Sequence, residues 1–256
     1  MLGVLLAAAL VQEAPKTFTA RVPSSTIVKR IKSIFGEVSL QLGPDSLGAD
    51  GKTVPGCSIQ FGASLANKRV AFSVPQKSVS LGIAGTMTYA PNGIFIRNTS
   101  VRTTKKEYEV VLYFDSNGPA LKGTHSWLGD GGAPDISLEH AHVIVRMKPT
   151  TKDGKIHFDK PVAMFYADMK TEGLSFNLLG RPVDLVQSAT GYRQQIKTAI
   201  ETQLVAALDG SGARKLLSEK IQDIVSNEAA GFGARVVRLG LSGMDLMITL
   251  TKRGKD

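Results

Sequence analysis

Between Thr17 and Thr251 most of the chain alternates apolar and polar residues with the two-residue period of a β-strand. One long stretch departs from it. Across Pro182–Ala230 the residues Tyr192, Ile196, Ala199, Ile200, Leu204, Ala207 and Leu208 recur at intervals of three and four, which puts them on one face of an α-helix. Arg193, Gln194, Lys197 and Glu201 fall elsewhere on its surface. Asp209-Gly210-Ser211-Gly212 is a stop-and-turn signal, and Leu216, Leu217, Ile221, Ile224 and Val225 then mark a second amphipathic run. A shorter helix is predicted over Thr26–Phe35, capped by Pro23-Ser24-Ser25 and closed by Gly36. Its apolar face is Ile27, Val28, Ile31, Ile34 and Phe35; Lys29, Arg30 and Lys32 occupy the other.

Strands are predicted at Thr17–Val22, Glu37–Leu42, Ser58–Ser64, Lys68–Val74, Ser78–Tyr89, Ile94–Val101, Lys105–Asp115 and Ser137–Met147. Further strands follow at Lys155–Lys170, Gly173–Leu179, Ala234–Leu241 and Met244–Thr251. Gly82 and Gly85 predict bends or bulges in the fifth of these, and Pro161 a bend in the strand that contains it. Gly43–Gly56 and Asn117–Asp135 read as loops. Short turns between long strands favour antiparallel pairing, since parallel strands need long crossovers. Val110–Phe114 and Ala163–Tyr166 are apolar on both faces, which predicts a sheet covered at least in part on both sides. A helical hairpin in such a chain must bury its apolar stripe on the sheet. The fold class that follows is α+β: a long, curved, mostly antiparallel sheet wrapped around a late helical hairpin, with a short N-terminal amphipathic helix. No repeat or linker divides it, so residues 15–256 are expected to form a single domain. Met1–Val11 is an apolar run with the length of a signal-peptide core, too short to span a bilayer. Residues 1–14 therefore read as a leader and the protein as secreted or periplasmic.

Composition narrows the function. At 43% hydrophobic residues over 256 positions, a sizeable core is affordable. A formal charge of +9 favours anionic partners such as phospholipid surfaces. The basic residues fall in short clusters, and no zinc-finger, helix-turn-helix or RNA-binding aromatic motif is present, so nucleic acid is a minor reading. The single Trp127 argues against surfaces of stacked rings for sugars or single strands. Cys57 is the only cysteine, which excludes an internal disulfide and a cysteine-held zinc.

Candidate chemistry is sparse. His140 and His142 stand two residues apart on one strand face, but a metal would need a third ligand such as His157, and the solvent-face reading is preferred. His125 shares a glycine-rich loop with Asp130 and Asp135, yet no serine lies in a Gly-x-Ser-x-Gly elbow. The Asp130–Asp135 loop lacks the alternating oxygen ligands of a calcium loop, and no phosphate-binding glycine motif occurs. The expectation is a non-enzyme with no cofactor and no metal. Binding remains: the apolar helix faces and aliphatic strands form either a filled core or the wall of a channel. Aliphatic walls suit acyl chains, for which each buried methylene contributes about 0.8 kcal/mol.

The order of elements adds a resemblance. A leader, a short amphipathic helix at Thr26–Phe35, an antiparallel meander, long late helices and the closing segment Val236–Leu250 resemble the tubular lipid-binding superfamily. The likeness covers about Thr17–Thr251. The chain lacks the cysteine pair of that superfamily's eukaryotic secreted members and interrupts the long helix at Gly210-Ser211-Gly212. The resemblance implies a curved sheet around an acyl-chain tunnel and non-catalytic binding or transfer of a lipid. It also implies a lining of Ile27, Ile31, Phe35, Leu112, Phe114, Phe158, Phe165, Ile196, Ile200 and Leu204. Lys29, Arg30 and Lys32 would then meet an anionic membrane surface, an attraction that salt weakens. The alternative is an envelope structural or interaction protein with the same sheet and a filled interior.

Overall fold

A computed structural model of the chain describes residues 17–130, 133–171, 176–178, 181–183, 185–210 and 212–252. The leader read in residues 1–14 lies outside them, as does most of the segment around the strand expected over Gly173–Leu179. Strand β1 (Thr17–Val22) leads into helix α1 (Ser24–Gly36). Then come β2 (Ser39–Leu42), the short pair β3 (Ser46–Leu47) and β4 (Thr53–Val54), β5 (Cys57–Gln60) and β6 (Arg69–Phe72). A hairpin of β7 (Lys77–Ser80) and β8 (Thr86–Pro91) precedes the long strands β9 (Ile94–Thr103) and β10 (Tyr108–Ser116). Next are β11 (Leu121–His125), β12 (Gly129–Asp130), β13 (Ile136–Met147), and the hairpin β14 (Pro149–Lys152) and β15 (Lys155–Phe158). Strands β16 (Val162–Thr171), β17 (Phe176–Leu178) and β18 (Arg181–Val183) lead to helices α2 (Leu185–Gly210) and α3 (Ala213–Gly231); β19 (Ala234–Ser242) and β20 (Asp245–Lys252) follow.

Eleven strands form one antiparallel sheet curled into a half-barrel, so the fold is α+β with its two long helices late, as the periodicity predicts. The order runs β6-β5-β2-β9-β10-β13 and forks there. Ile136 of β13 pairs with Thr171 of β16 on one edge and with Leu121 of β11 on the other, from which β8 and β7 continue. A smaller sheet, β1-β20-β19, completes the fold. Alternate residues of the strands, among them Leu40, Val110, Leu112, Val143, Val145 and Phe165, point into one apolar cluster with all three helices. Ile27, Ile31 and Ile34 enter it from α1, Ile196, Ile200 and Leu204 from α2, and Leu217, Ile221 and Val225 from α3, each at the predicted helical spacing. Helix α1 packs on β9, α2 on β16, and α3 on β15 and β19.

The structure departs from the pattern at several places, each with a local cause. Gly82 and Gly85 adopt positive φ and carry a full reversal between β7 and β8, where only bends are expected. Asn117–Asp135 contains β11, whose inward positions Leu121, Gly123 and His125 disguise the alternation because only one of them is a large apolar residue. Pro161 lies in the link between two strands and does not merely bend one: β15, which ends at Phe158, pairs with β14, and β16, which begins at Val162, with β13. The late helix begins at Leu185, after Pro182 has been taken into β18. Finally, the second face of the sheet is open at Tyr113 and Tyr166, with His142 between them and stacked on Tyr166 at 5.1 Å. On that face Glu109 is buried beneath two guanidinium groups, Arg102 Nε at 2.7 Å and Arg146 Nε at 2.9 Å. Burial pushes its carboxyl up, but the bonds from Arg102 and Arg146 outweigh that and hold it below its ordinary value.

The cap of α1 also differs from expectation. Ser24 and Ser25 do not close it; Pro23 is the cap residue with no side-chain bond, and the backbone N–H of Ser24 donates to Asp245 Oδ1 at 2.7 Å. A carboxylate from β20 thus sits at the positive end of the helix dipole, where anions are stabilised. The same carboxylate accepts Arg21 Nε at 2.8 Å. The Ser24 amide first, and then Arg21, hold the Asp245 carboxyl below its ordinary value of 3.8. A depressed carboxyl stabilises the fold above its unfolded value and loses that contribution as pH falls through its folded value. The urea midpoint should therefore drop as the pH falls below about 4 in part through Asp245, and Asp245→Asn should lower the midpoint at neutral pH and flatten this acid limb. An unchanged acid limb in the variant would place the pH dependence elsewhere.

Candidate ligand groove at the helix–sheet seam

A strand edge presents a row of backbone N–H and C=O groups that need partners. Among the described strands β16 has such an edge, and α2 lies along it. The Phe165 N–H donates to Glu201 Oε1 at 2.7 Å, and Arg193 Nη1 donates to Ala167 O at 3.5 Å. Helix α3 treats β15 the same way, with Gln222 Oε1 accepting the Ile156 N–H at 3.1 Å. Long polar side chains therefore hold the helices against the edges at a distance, and the stand-off opens two grooves.

The first, of about 590 Å³, lies between Pro161, Val162 and Ala163 on the strand side and Thr202, Val205 and Ala206 of α2. The second, of about 810 Å³, lies between β15 and α3. Ile156 and Phe158 are its apolar members, and Lys155, Lys160, Arg214 and Lys215 surround it together with Asp159, Glu219 and Asp223. Both volumes fall in the range of small-molecule sites. The grooves share Lys160 and meet where Arg214 Nη2 approaches Asp209 Oδ1 at 3.1 Å. That contact is an ion pair out of line for a hydrogen bond, so the oxygen has no hydrogen-bond donor among the described residues. Lys215 faces Glu219 at 3.9 Å, whereas Lys155 and Lys160 have no ion-pair partner among the described residues. The Ser218 hydroxyl donates to Arg214 O at 3.0 Å within its own helix. The surroundings suit an amphiphile: aliphatic walls at one end and unpaired ammonium groups at the other.

Of the ten residues that the resemblance puts around a channel, Phe158 alone borders these grooves. Ile27, Ile31, Phe35, Leu112, Ile196, Ile200 and Leu204 are completely buried in the apolar cluster, as is most of Phe165. Phe114 is half-buried with its ring 6.0 Å from that of Phe165. Lys29 and Lys32 are exposed on α1 and Arg30 is half-buried; none has an ion-pair partner among the described residues. The groove residues of α2 carry a signal in the chain itself. Leu204-Val205-Ala206-Ala207-Leu208 is a run of five apolar residues, too wide for one helix face, so part of it must lie beside the buried stripe.

The histidines go to separate tasks. A bulge between Glu139 and His142, with His140 at φ 53°, breaks the regular alternation that would set both imidazoles on one face. His140 Nδ1 meets Asp168 at 3.3 Å while His142 stacks on Tyr166. His125 is buried and faces backbone groups, and the Asp135 carboxylate accepts the Gly123 N–H at 2.9 Å instead of orienting an imidazole. Among the described residues no three His, Cys, Asp or Glu side chains converge as metal ligands.

On the core side of α2 the Tyr192 hydroxyl is buried with no hydrogen-bond partner among the described residues, and burial pushes its ionisation up. An unpaired buried hydroxyl costs about 1–3 kcal/mol of desolvation. Tyr192→Phe should accordingly leave the denaturation midpoint unchanged or raise stability by about 1 kcal/mol. A clear loss would reveal a polar partner for that hydroxyl. Searches with models of known protein families and against curated protein sequences return no match for this chain.

Proposed function

We propose that the chain binds an amphiphilic lipid, or another ligand with a hydrocarbon tail, without altering it chemically, and carries it in an extracytoplasmic compartment. The observation that carries this reading is the pair of adjoining grooves along the helix–sheet seam. Val162, Ala163, Val205 and Ala206 offer an apolar trough, and the neighbouring groove sets Ile156 and Phe158 beside Lys155 and Lys160, which have no ion-pair partner among the described residues. A tail gains about 0.8 kcal/mol per methylene in the first, and an anionic head gains from the ammonium groups of the second. The compartment rests on the apolar run Met1–Val11 alone.

The test is extraction of the purified protein with organic solvent, mass spectrometry of the extract, and titration with a fluorescent fatty acid. Acyl lipid in near-stoichiometric amount, or saturable uptake, supports the reading. Reversing both groove charges with Lys155→Glu and Lys160→Glu should weaken an anionic fatty acid about fivefold, roughly 1 kcal/mol, and leave its uncharged alcohol unaffected. Equal weakening of both would mean that the lysines do not face a head group.

A second reading has its own support. Seven of the residues expected to line a channel are completely buried within one apolar cluster, as in a closed core. The chain would then be an envelope interaction protein with no small-molecule ligand, and both the extract and the titration would be blank.

A further inference from the structure

Two turns at one end of the half-barrel carry large apolar side chains into solvent. Ile83, in the turn between β7 and β8, is 86% exposed; Trp127 and Leu128, in the turn after β11, are 63% and 61% exposed. The turns are clamped together. Ser126 N–H donates to Thr86 O at 2.9 Å, and Thr86 N–H donates to Ser126 Oγ at 3.0 Å. The buried His125 bridges them: its Nδ1 accepts the Trp127 N–H at 3.2 Å, so the proton is on Nε2, which donates to Ala84 O at 2.8 Å. The indole stands edge-on to that imidazole at 5.9 Å, beside Gly85, which has φ 91° and room for no side chain: a Cβ there would lie 2.5 Å from Ser126 Oγ. The exposed rings and branches are therefore held by a rigid base.

Charge is missing from these two turns. Asp, Glu, Lys and Arg make up 21% of the chain, yet none occurs from Ser78 through Ile96 or from Gly123 through Gly129, where Asp130 ends the second run. The nearest cations along these strands are Lys77, paired with Tyr89, and Lys122, paired with Ala90. Each lies three residues behind the strand end nearest the turns, about 10 Å at the rise of a β-strand. We infer that the turns bearing Ile83, Trp127 and Leu128 form a tip that enters the interfacial layer of a lipid bilayer, with Lys77 and Lys122 at head-group level.

Neither turn carries a charged residue, the first along the chain being Asp130 opposite Thr124, and one carries an indole, the ring that favours the membrane interface. Charge set back behind an apolar end is the arrangement that shallow insertion needs. This site is distinct from the basic face of α1 and does not depend on the groove.

Trp127 is the only tryptophan, so fluorescence of the intact chain reads the tip directly. The protein is titrated with vesicles of phosphatidylcholine, with and without phosphatidylglycerol. The expected result is a blue shift of the emission and quenching by lipids brominated on their acyl chains. Ile83→Asp with Leu128→Asp should lower vesicle partitioning at least about tenfold, with an unchanged circular dichroism spectrum because both side chains are exposed. Vesicle binding that leaves the Trp127 emission unmoved, and is lost instead in Lys29→Glu with Lys32→Glu, would overturn the proposal in favour of α1. Failure to bind either vesicle would also overturn it, as would a blue shift that needs no vesicles and follows concentration-dependent dimerisation, since the tip would then dock on a second copy.

Discussion

Gly56→Ala is expected to destabilise the fold by more than about 3 kcal/mol, a loss in the range reserved for severe steric or burial defects. A Cβ on Gly56 would lie 1.9 Å from Pro44 O and 2.6 Å from Gly43 O. Both are backbone atoms, so no rotamer change relieves the clash. The close approach is held from both sides: the Gly56 N–H donates to Asp45 Oδ1 at 2.9 Å, and the buried Cys57 thiol donates to Gly43 O at 3.4 Å. Pushing Pro44 away from Gly56 strains the loop that joins β2 to β5, whose pairing sets Leu40 opposite Ile59, both in the core. Gly36→Ala is the control. It meets nothing within 4 Å and has no positive φ, so it should be neutral or raise stability by about 0.5–1 kcal/mol at the end of α1. Urea denaturation of the two variants checks both signs. A loss below about 1 kcal/mol at Gly56 would show that the Gly43–Gly56 loop gives way easily.

That close approach was not legible in the chain, and the reason is general. Periodicity reports which face of an element is buried; it says nothing about which distant backbone passes beside it. Hence Ile196, Ile200 and Leu204, or Ile27 and Ile31, could be placed on a buried face from spacing alone, and the helical hairpin after the strands followed from the same signal. The loop around Gly56 read only as glycine-rich. The cap of α1 was illegible for a like reason, since its carboxylate, Asp245, comes from 221 residues away. At the seam, Glu201 and Gln222 read as ordinary surface residues of amphipathic helices, because their role as partners of Phe165 and Ile156 exists only once the strand edges are next to them. Val162 and Ala206 were missed because a groove is a property of two elements that stand apart, and neither sequence window contains the other.

Filling the apolar groove should separate binding from folding. Ala206 is exposed on α2 and faces the trough, so Ala206→Trp adds bulk where there is space and changes intrinsic helix propensity by less than about 0.7 kcal/mol. An indole there displaces two or three methylenes of a bound tail, roughly 2 kcal/mol, or about thirtyfold in affinity for a fluorescent fatty acid. Ile200 immediately precedes the trough residues Glu201 and Thr202 along α2 but lies on the other face: it is completely buried, faces the core, and does not border the groove. Ile200→Ala should lower stability by about 2–5 kcal/mol through lost burial and the cavity left behind, while the folded fraction keeps its affinity. The opposite pattern, uptake lost at Ile200→Ala and retained at Ala206→Trp, would move the tail into the interior that the family resemblance implies. The comparison needs both variants, because a weakened fold and a blocked site each lower apparent uptake, and only the pair of readouts, denaturation midpoint and affinity per folded molecule, tells them apart.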